Sequence, residues 1–199
     1  MLGSFLKDIR VILGSQSPRR KELLASLDID FEVIVKNIDE SVPDHIKAEA
    51  AAEYVAKNKL VAFQDDEYKH SLIITADTVV VDGDHNILGK PSSAQEAIQV
   101  IQSLSNKTHK VFTGVAVSYE GKVVSFTEET IVCFEELSTE EILYYVEKYK
   151  PFDKAGSYGI QEWIGRVAVS RIEGSYENVM GLPTVKLYQT IKVLIKKEA

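Results

Sequence analysis

At 199 residues the chain fits one large domain or two lobes sharing a core, since domains commonly run ~100–200 residues. Its 45% hydrophobic and 27% charged residues are those of an ordinary globular protein and exclude a disordered or membrane composition. A formal net charge of −7 excludes a broad basic face, and with it general nucleic-acid or anionic-membrane binding, so any anionic ligand must be held by a local basic cluster.

The first ten residues, Met1 to Arg10, have too short an apolar stretch and too many charges for a signal peptide or membrane span, which predicts a cytoplasmic protein. Val11 to Gly14 reads as a buried strand entering a turn. A helix follows, with Ser17 as N-cap, Pro18 at the first helical position and Leu23, Leu24 and Leu27 as one apolar stripe. Phe31 to Val35 alternates as the next strand. From Ile46 to Phe63 an Ala-rich segment places Ala48, Ala52, Val55, Lys59 and Ala62 at helical spacing. Leu72 to Ala76 has the continuous apolar character of a central strand, which Thr78 to Asp82 continues toward a polar hairpin turn at 82–86.

Ala94 to Leu104 reads as a helix. Val111 to Tyr119 and Lys122 to Phe134 are strands that pair antiparallel across Glu120–Gly121. The single cysteine, Cys133, lies in the second of these and is expected to be buried; it allows no intramolecular disulfide and implies a reducing compartment. Thr139 to Lys148 is an amphipathic helix capped by Ser138, ended by Pro151 and followed by a glycine-bearing loop. Gly165 to Ile172 alternates as a strand. Pro183 opens a last helix carrying Val185, Leu187, Ile191 and Leu194.

Four constellations could carry chemistry. Gly14-Ser15-Gln16-Ser17-Pro18-Arg19-Arg20 puts hydroxyls, unpaired backbone N–H groups and two guanidinium groups at one helix start, which suits a phosphate. The ordinary alternative is a capped surface helix, but two arginines at the positive end of a helix dipole favour a resident anion. Asp77, in Ala76-Asp77-Thr78, is a carboxylate at the end of a buried strand or within it, a costly place unless the acid is paired or metal-bound. It could equally cap a turn. Leu88-Gly89-Lys90-Pro91 presents a lysine, although Gly83 is misplaced for a phosphate-binding P-loop and Pro91 replaces its Ser or Thr. Asp82 to Asn86 fails as a calcium loop because Ile87 holds the glycine position. The fourth, Phe152 to Gln161, combines two glycines with a density of charged and amide groups beyond the needs of a turn. His45, His70, His85 and His109 show no metal-ligand spacing, and Trp163 suits core and ligand wall alike.

Taken in order, Ser15 to Arg20, Ala76-Asp77-Thr78, Gly89-Lys90-Pro91, Asp153 to Gln161 and Gly181-Leu182-Pro183 resemble the Maf family of nucleotide pyrophosphatases over nearly the whole chain. The resemblance implies one α/β domain over 1–199: a long mixed sheet flanked by helices, two lobes around a central cleft, and a shape like the inosine triphosphate pyrophosphatases. Residues 1–10 would be an N-terminal extension. It implies hydrolysis between the α and β phosphates to a nucleoside monophosphate and pyrophosphate.

On this resemblance Asp77 matches the catalytic base, with Lys59 and Lys90 as catalytic cations; Lys57 lies close to Lys59. Ser15, Ser17, Arg19, Arg20, Thr78 and Gln161 match substrate-binding positions, with Arg19, Thr78 and Gln161 tied to substrate choice. Glu40 and Asp77 would hold a divalent cation, magnesium or manganese. The Ile160-Gln161 ending resembles the branch acting on dTTP and UTP rather than on methylated guanosine nucleotides. Gly14, where the family usually has alanine, and Phe152, where it tends to an unbranched aliphatic residue, depart from the pattern. A homodimer is implied. The competing readings are a nucleotide-sensing binding protein linked to cell division, by way of the family's association with septum formation, and a general phosphatase.

Overall fold

The computed structural model describes residues 2–195. Helix α1 (Leu2–Phe5) precedes β1 (Val11–Leu13), α2 (Pro18–Ala25), β2 (Glu32–Val33), α3 (Ala48–Val61), β3 (Leu72–Val81), β4 (Ile87–Leu88) and α4 (Ala94–Leu104). Then come β5 (Thr108–Tyr119), β6 (Lys122–Phe134), α5 (Thr139–Tyr149), α6 (Trp163–Val167), β7 (Val169–Glu173), α7 (Tyr176–Met180) and α8 (Thr184–Ile195). The strands form a mixed sheet in the order β2-β1-β3-β5-β6-β7, with β4 paired to β3. β1 runs parallel to both β2 and β3, whereas β4 on β3 and β7 on β6 are antiparallel. Among the described residues no helix is long and apolar enough to cross a membrane.

Two compact units divide the chain, and β3, β5 and β6 each contribute residues to both. The first comprises residues 2–77, 113–128 and 181–195. Its organising feature is how closely α3 approaches the sheet. The helix turns Ala51, Ala52, Val55, Ala56 and Leu60 inward, and Gly114 of β5 lies beneath it: a Cβ there would stand 2.1 Å from the backbone nitrogen of Glu53. Only glycine permits that approach. Thr75 of β3, fully buried, donates its hydroxyl to the Ala56 carbonyl at 2.7 Å and so ties the same helix to the next strand. Ile12, Ala56, Leu60, Phe63, Tyr68, Ile73 and Ala116 complete the core here. The residues before β1, whose role the sequence leaves open, bury Leu2 and Leu6, and α1 packs on α8.

The second unit comprises residues 78–112 and 129–180. α4 packs on α5, burying Ala97, Ile101 and Leu104 on the first and Ile142, Tyr145 and Val146 on the second. α5 begins with a capping box: the Ser138 hydroxyl accepts from the Glu141 N–H, and the Glu141 carboxylate accepts from the Ser138 N–H. It ends where Lys150 turns left-handed ahead of Pro151. His109, Phe134 and Tyr158 stack edge to face with centroids 4.9–5.4 Å apart.

Several sequence expectations are corrected. The strand expected over Phe31 to Val35 shrinks to Glu32–Val33, both exposed, so nothing buries an alternating face. The segment expected as a strand from Gly165 begins as helix α6, and β7 starts only at Val169. The cause is tertiary: a Cβ at Gly165 would lie 1.8 Å from the Ile160 carbonyl oxygen, so this turn is packed directly on the preceding loop. Val185 is 71% exposed because the inward stripe of α8 runs through Thr184, Leu187, Ile191 and Leu194. Cys133 is half-buried, paired across the strands with Arg171.

Candidate active site

The strand order places β1 between β2 and β3, so the chain leaves the carboxyl end of β1 toward one neighbour while the other lies on its far side. In parallel α/β sheets this switch point is where ligands collect. Leu13 pairs with Ile74, so β3 extends beyond the end of β1 and carries Asp77 to the level of the Ser15–Ser17 loop. Asp77 therefore interrupts a ten-residue strand and does not terminate it.

The loop is built as its residue types suggest. The Ser17 hydroxyl accepts the Arg20 N–H at 3.4 Å, capping α2, and the buried Ser15 hydroxyl accepts the Ser17 N–H at 3.3 Å. The arginines differ. Arg19 is half-buried. Arg20 is buried, donating Nε to the Gly181 carbonyl at 2.8 Å and Nη1 to the Ser15 hydroxyl at 3.2 Å. Burial draws its pKa below the ordinary arginine value and Arg19 adds to that, while Asp77 and Glu40 act in the opposite sense. The contact also explains Gly181-Leu182-Pro183, which the sequence marks without a reason: Gly181, at φ 114°, turns its carbonyl to the Arg20 guanidinium. Gly14 is explained by its neighbours, since a Cβ there would meet the Thr75 methyl at 2.8 Å and the Phe63 ring at 3.1 Å.

Beside this loop the Lys59 ammonium lies 2.9 Å from Asp77 Oδ1 and 3.1 Å from Glu40 Oε1. The neighbouring lysines differ by helix face. Lys59 is 14% exposed and reaches the acids, whereas Lys57 is 52% exposed and pairs with Glu53 within α3. Among the described residues no group of three or more His, Cys, Asp or Glu could hold a metal. A separate cavity of about 470 Å³, lined by Leu60, Val61, Phe63, Tyr68, Ile73 and Val123 among others, takes in Lys57 but not Lys59, Asp77 or Glu40.

Thr78, Lys90 and Gln161 belong to the second unit. Thr78 is half-buried and Lys90 exposed. The backbone beside Lys90 is fastened to the glycine-bearing loop, where the Gly156 N–H donates to the Gly89 carbonyl at 3.3 Å. Gly156 and Ser157 are both left-handed, at φ 67° and 60°. Gln161 is half-buried, and its carbonyl oxygen is enclosed without a hydrogen-bond donor. Of the side chains holding this loop, Lys154 falls within the charged segment that the sequence marks, but sequence reasoning passed over Tyr145 and Glu162, because nothing local relates a tyrosine on α5 to a loop beyond it. His109, set aside in the sequence for want of metal-ligand spacing, has a structural setting. It is buried, hydrogen-bonded through Nε2 to the Tyr158 hydroxyl at 2.7 Å, with its pKa lowered to about 4 by burial.

Residues 10–194 match the family described as Maf-like protein. The chain belongs to the Maf family. A dTTP/UTP pyrophosphatase of Parabacteroides distasonis is 49% identical to this Maf protein over 188 residues, 94% of this chain and 97% of the relative. One of Phocaeicola vulgatus, of the same name, is 50% identical over 191 residues, 95% and 98% of the two chains. A solved nucleoside-triphosphatase / dITP/XTP pyrophosphatase from Mycobacterium abscessus aligns with a TM-score of 0.45 at 11% identity, over 94% of this Maf chain and 97% of its own.

Proposed function

We propose that this Maf protein hydrolyses dTTP and UTP at the α–β phosphoanhydride, releasing the nucleoside monophosphate and pyrophosphate in a house-cleaning role. The observation that carries the reading is the Lys59 ammonium held between Asp77 and Glu40. It is supported by relatives 49% and 50% identical along nearly their whole length that bear that activity in their names. A water oxygen forms a bond to the α-phosphorus, the bond from that phosphorus to the bridging oxygen breaks, and pyrophosphate leaves with the electron pair. Asp77, oriented by Lys59, accepts the water's proton. Arg19, Lys59 and Lys90 neutralise the polyphosphate, and Ser15 and Ser17 line the α2 start that receives it. Arg20 acts from below, fixing Ser15 and adding charge.

Glu40 and Asp77 fit a divalent cation, magnesium or manganese, because both are hard oxygen donors close enough to share one ammonium, and substrate phosphates would complete the set. Such an ion, when bound, stabilises charge on the leaving pyrophosphate. Base choice falls to Gln161 and Thr78. A buried carbonyl without a donor costs roughly 1–3 kcal/mol, and an imide N–H relieves it. Thymine and uracil carry that donor at N3; cytosine does not. We place the reaction in the cytoplasm, in keeping with a chain that has one cysteine, and expect a homodimer, which sedimentation would test.

The deciding experiment is product analysis on a panel of triphosphates with magnesium or manganese. Pyrophosphate from dTTP and UTP ahead of CTP and dGTP is expected. Orthophosphate would indicate a general phosphatase, binding without turnover a sensor, and a guanine preference would refute the pyrimidine assignment.

A further inference from the structure

We infer that Tyr145 is a positioning residue for Gln161: its hydroxyl, carried on α5, holds the loop on both sides of that glutamine. Tyr145 is wholly buried. Its hydroxyl accepts the Gly159 N–H at 3.0 Å and donates to Glu162 Oε2. Glu162 Oε1 in turn meets the Lys154 ammonium at 3.2 Å, and Lys154 meets Asp153 at 2.8 Å. Lys154 thus joins Asp153 to Glu162, and the tyrosine hydroxyl continues the chain from Glu162 back to the Gly159 amide. Burial and the Glu162 carboxylate both raise the phenol pKa, so it keeps the proton it donates.

The backbone is shaped to this network. A Cβ at Gly159 would lie 2.9 Å from Glu162 Cδ and 3.0 Å from Lys154 Cε, so the ion pair closes directly over the glycine and a side chain there would displace it. Gly165 brings α6 against the Ile160 carbonyl. Residues 159, 160 and 162 are therefore all fixed, and Gln161 is held between them with its carbonyl enclosed. A tyrosine serving only as core would be replaced by phenylalanine without consequence. The chain through its hydroxyl says otherwise.

The consequence for base choice rests on the proposed function; the positioning does not. Tyr145→Phe removes the hydroxyl alone. In hydrogen exchange, the amides of residues 154–162 are expected to exchange about tenfold faster, the loss of one buried hydrogen bond, with β5 and β6 unchanged. With dTTP the KM should rise about tenfold while kcat stays within about twofold, and the preference over dGTP should fall. The double variant with Gln161→Ala should be no worse than Gln161→Ala alone. Unchanged exchange in the loop, or costs that simply add, would overturn the inference. If the wild type releases no pyrophosphate from any triphosphate, the proposed function falls and the positioning is decided by exchange. Should Tyr145→Phe unfold, Glu162→Gln keeps an acceptor for the tyrosine but loses the charge facing Lys154. It is expected to loosen the same segment to a smaller degree, and acceleration spread over the whole chain would count against the inference.

Discussion

The charged cluster of the first unit and the glycine-bearing loop of the second are held by different means. Lys59 and Asp77 stand on a helix and a strand, and the helix is set by backbone packing on Gly114 and by the Thr75 hydroxyl. Gln161 stands on a loop whose shape depends on side-chain hydrogen bonds through Tyr145 and Glu162. Charges that must meet a reacting centre gain from regular elements, because a small displacement is costly in rate. A recognition group needs a defined but replaceable support. Substitutions in the first unit should therefore alter turnover or global stability, and those around the loop should alter selectivity or local stability.

Asp77→Asn probes that division most severely. Turnover of dTTP should fall by about 10³-fold or more while the thermal midpoint moves little; pyrophosphate release near the wild-type rate would remove Asp77 from the chemistry. Gly114→Ala comes next. The methyl would collide with the α3 backbone, so the helix must shift, at about 3 kcal/mol of stability in urea unfolding, and activity should fall as Lys59 moves from Asp77. An active, fully stable variant would show that α3 is not what places the lysine.

His109 gives a pH-dependent test in the second unit. Its folded pKa of about 4 lies below the unfolded value near 6.5. The unfolded chain binds the extra proton between those values, so stability contributed by the neutral ring is complete above about pH 6.5 and is lost as pH falls toward 4. Wild type should lose up to about 3 kcal/mol more than His109→Phe across that window; parallel pH profiles would mean that the ring is protonated without penalty. The smallest effect is expected at the start of α5. Ser138→Ala should cost about 1 kcal/mol through the lost capping box, and a larger cost would mean that α5 supports more than the loop.

Much of this was legible in local chemistry. Ser17 and Ser138 cap the helices their spacing implies, and α4 occupies the span its periodicity marks. The Ser15 to Arg20 segment reads as suited to an anion, but the separate placements of its arginines were not legible. Arg20 turns inward because a carbonyl 161 residues away accepts from it, and no local pattern encodes that partner. Which of Lys57 and Lys59 reaches Asp77 depends on the side of α3 that faces it, a matter of packing on Gly114. The helix at Trp163–Val167 escaped notice for the same reason: Gly165 responds to Ile160, not to its own neighbours.

The bond from Arg20 to Gly181 also has a meaning in time. During synthesis Arg20 emerges first, yet the carbonyl that orients it is made 161 residues later. Until Gly181 leaves the ribosome, the Ser15–Ser17 loop lacks one of its fixing contacts, and a nascent chain would carry the sequence of that loop without its finished shape. The finished shape of that loop is thereby tied to a residue made 161 positions later.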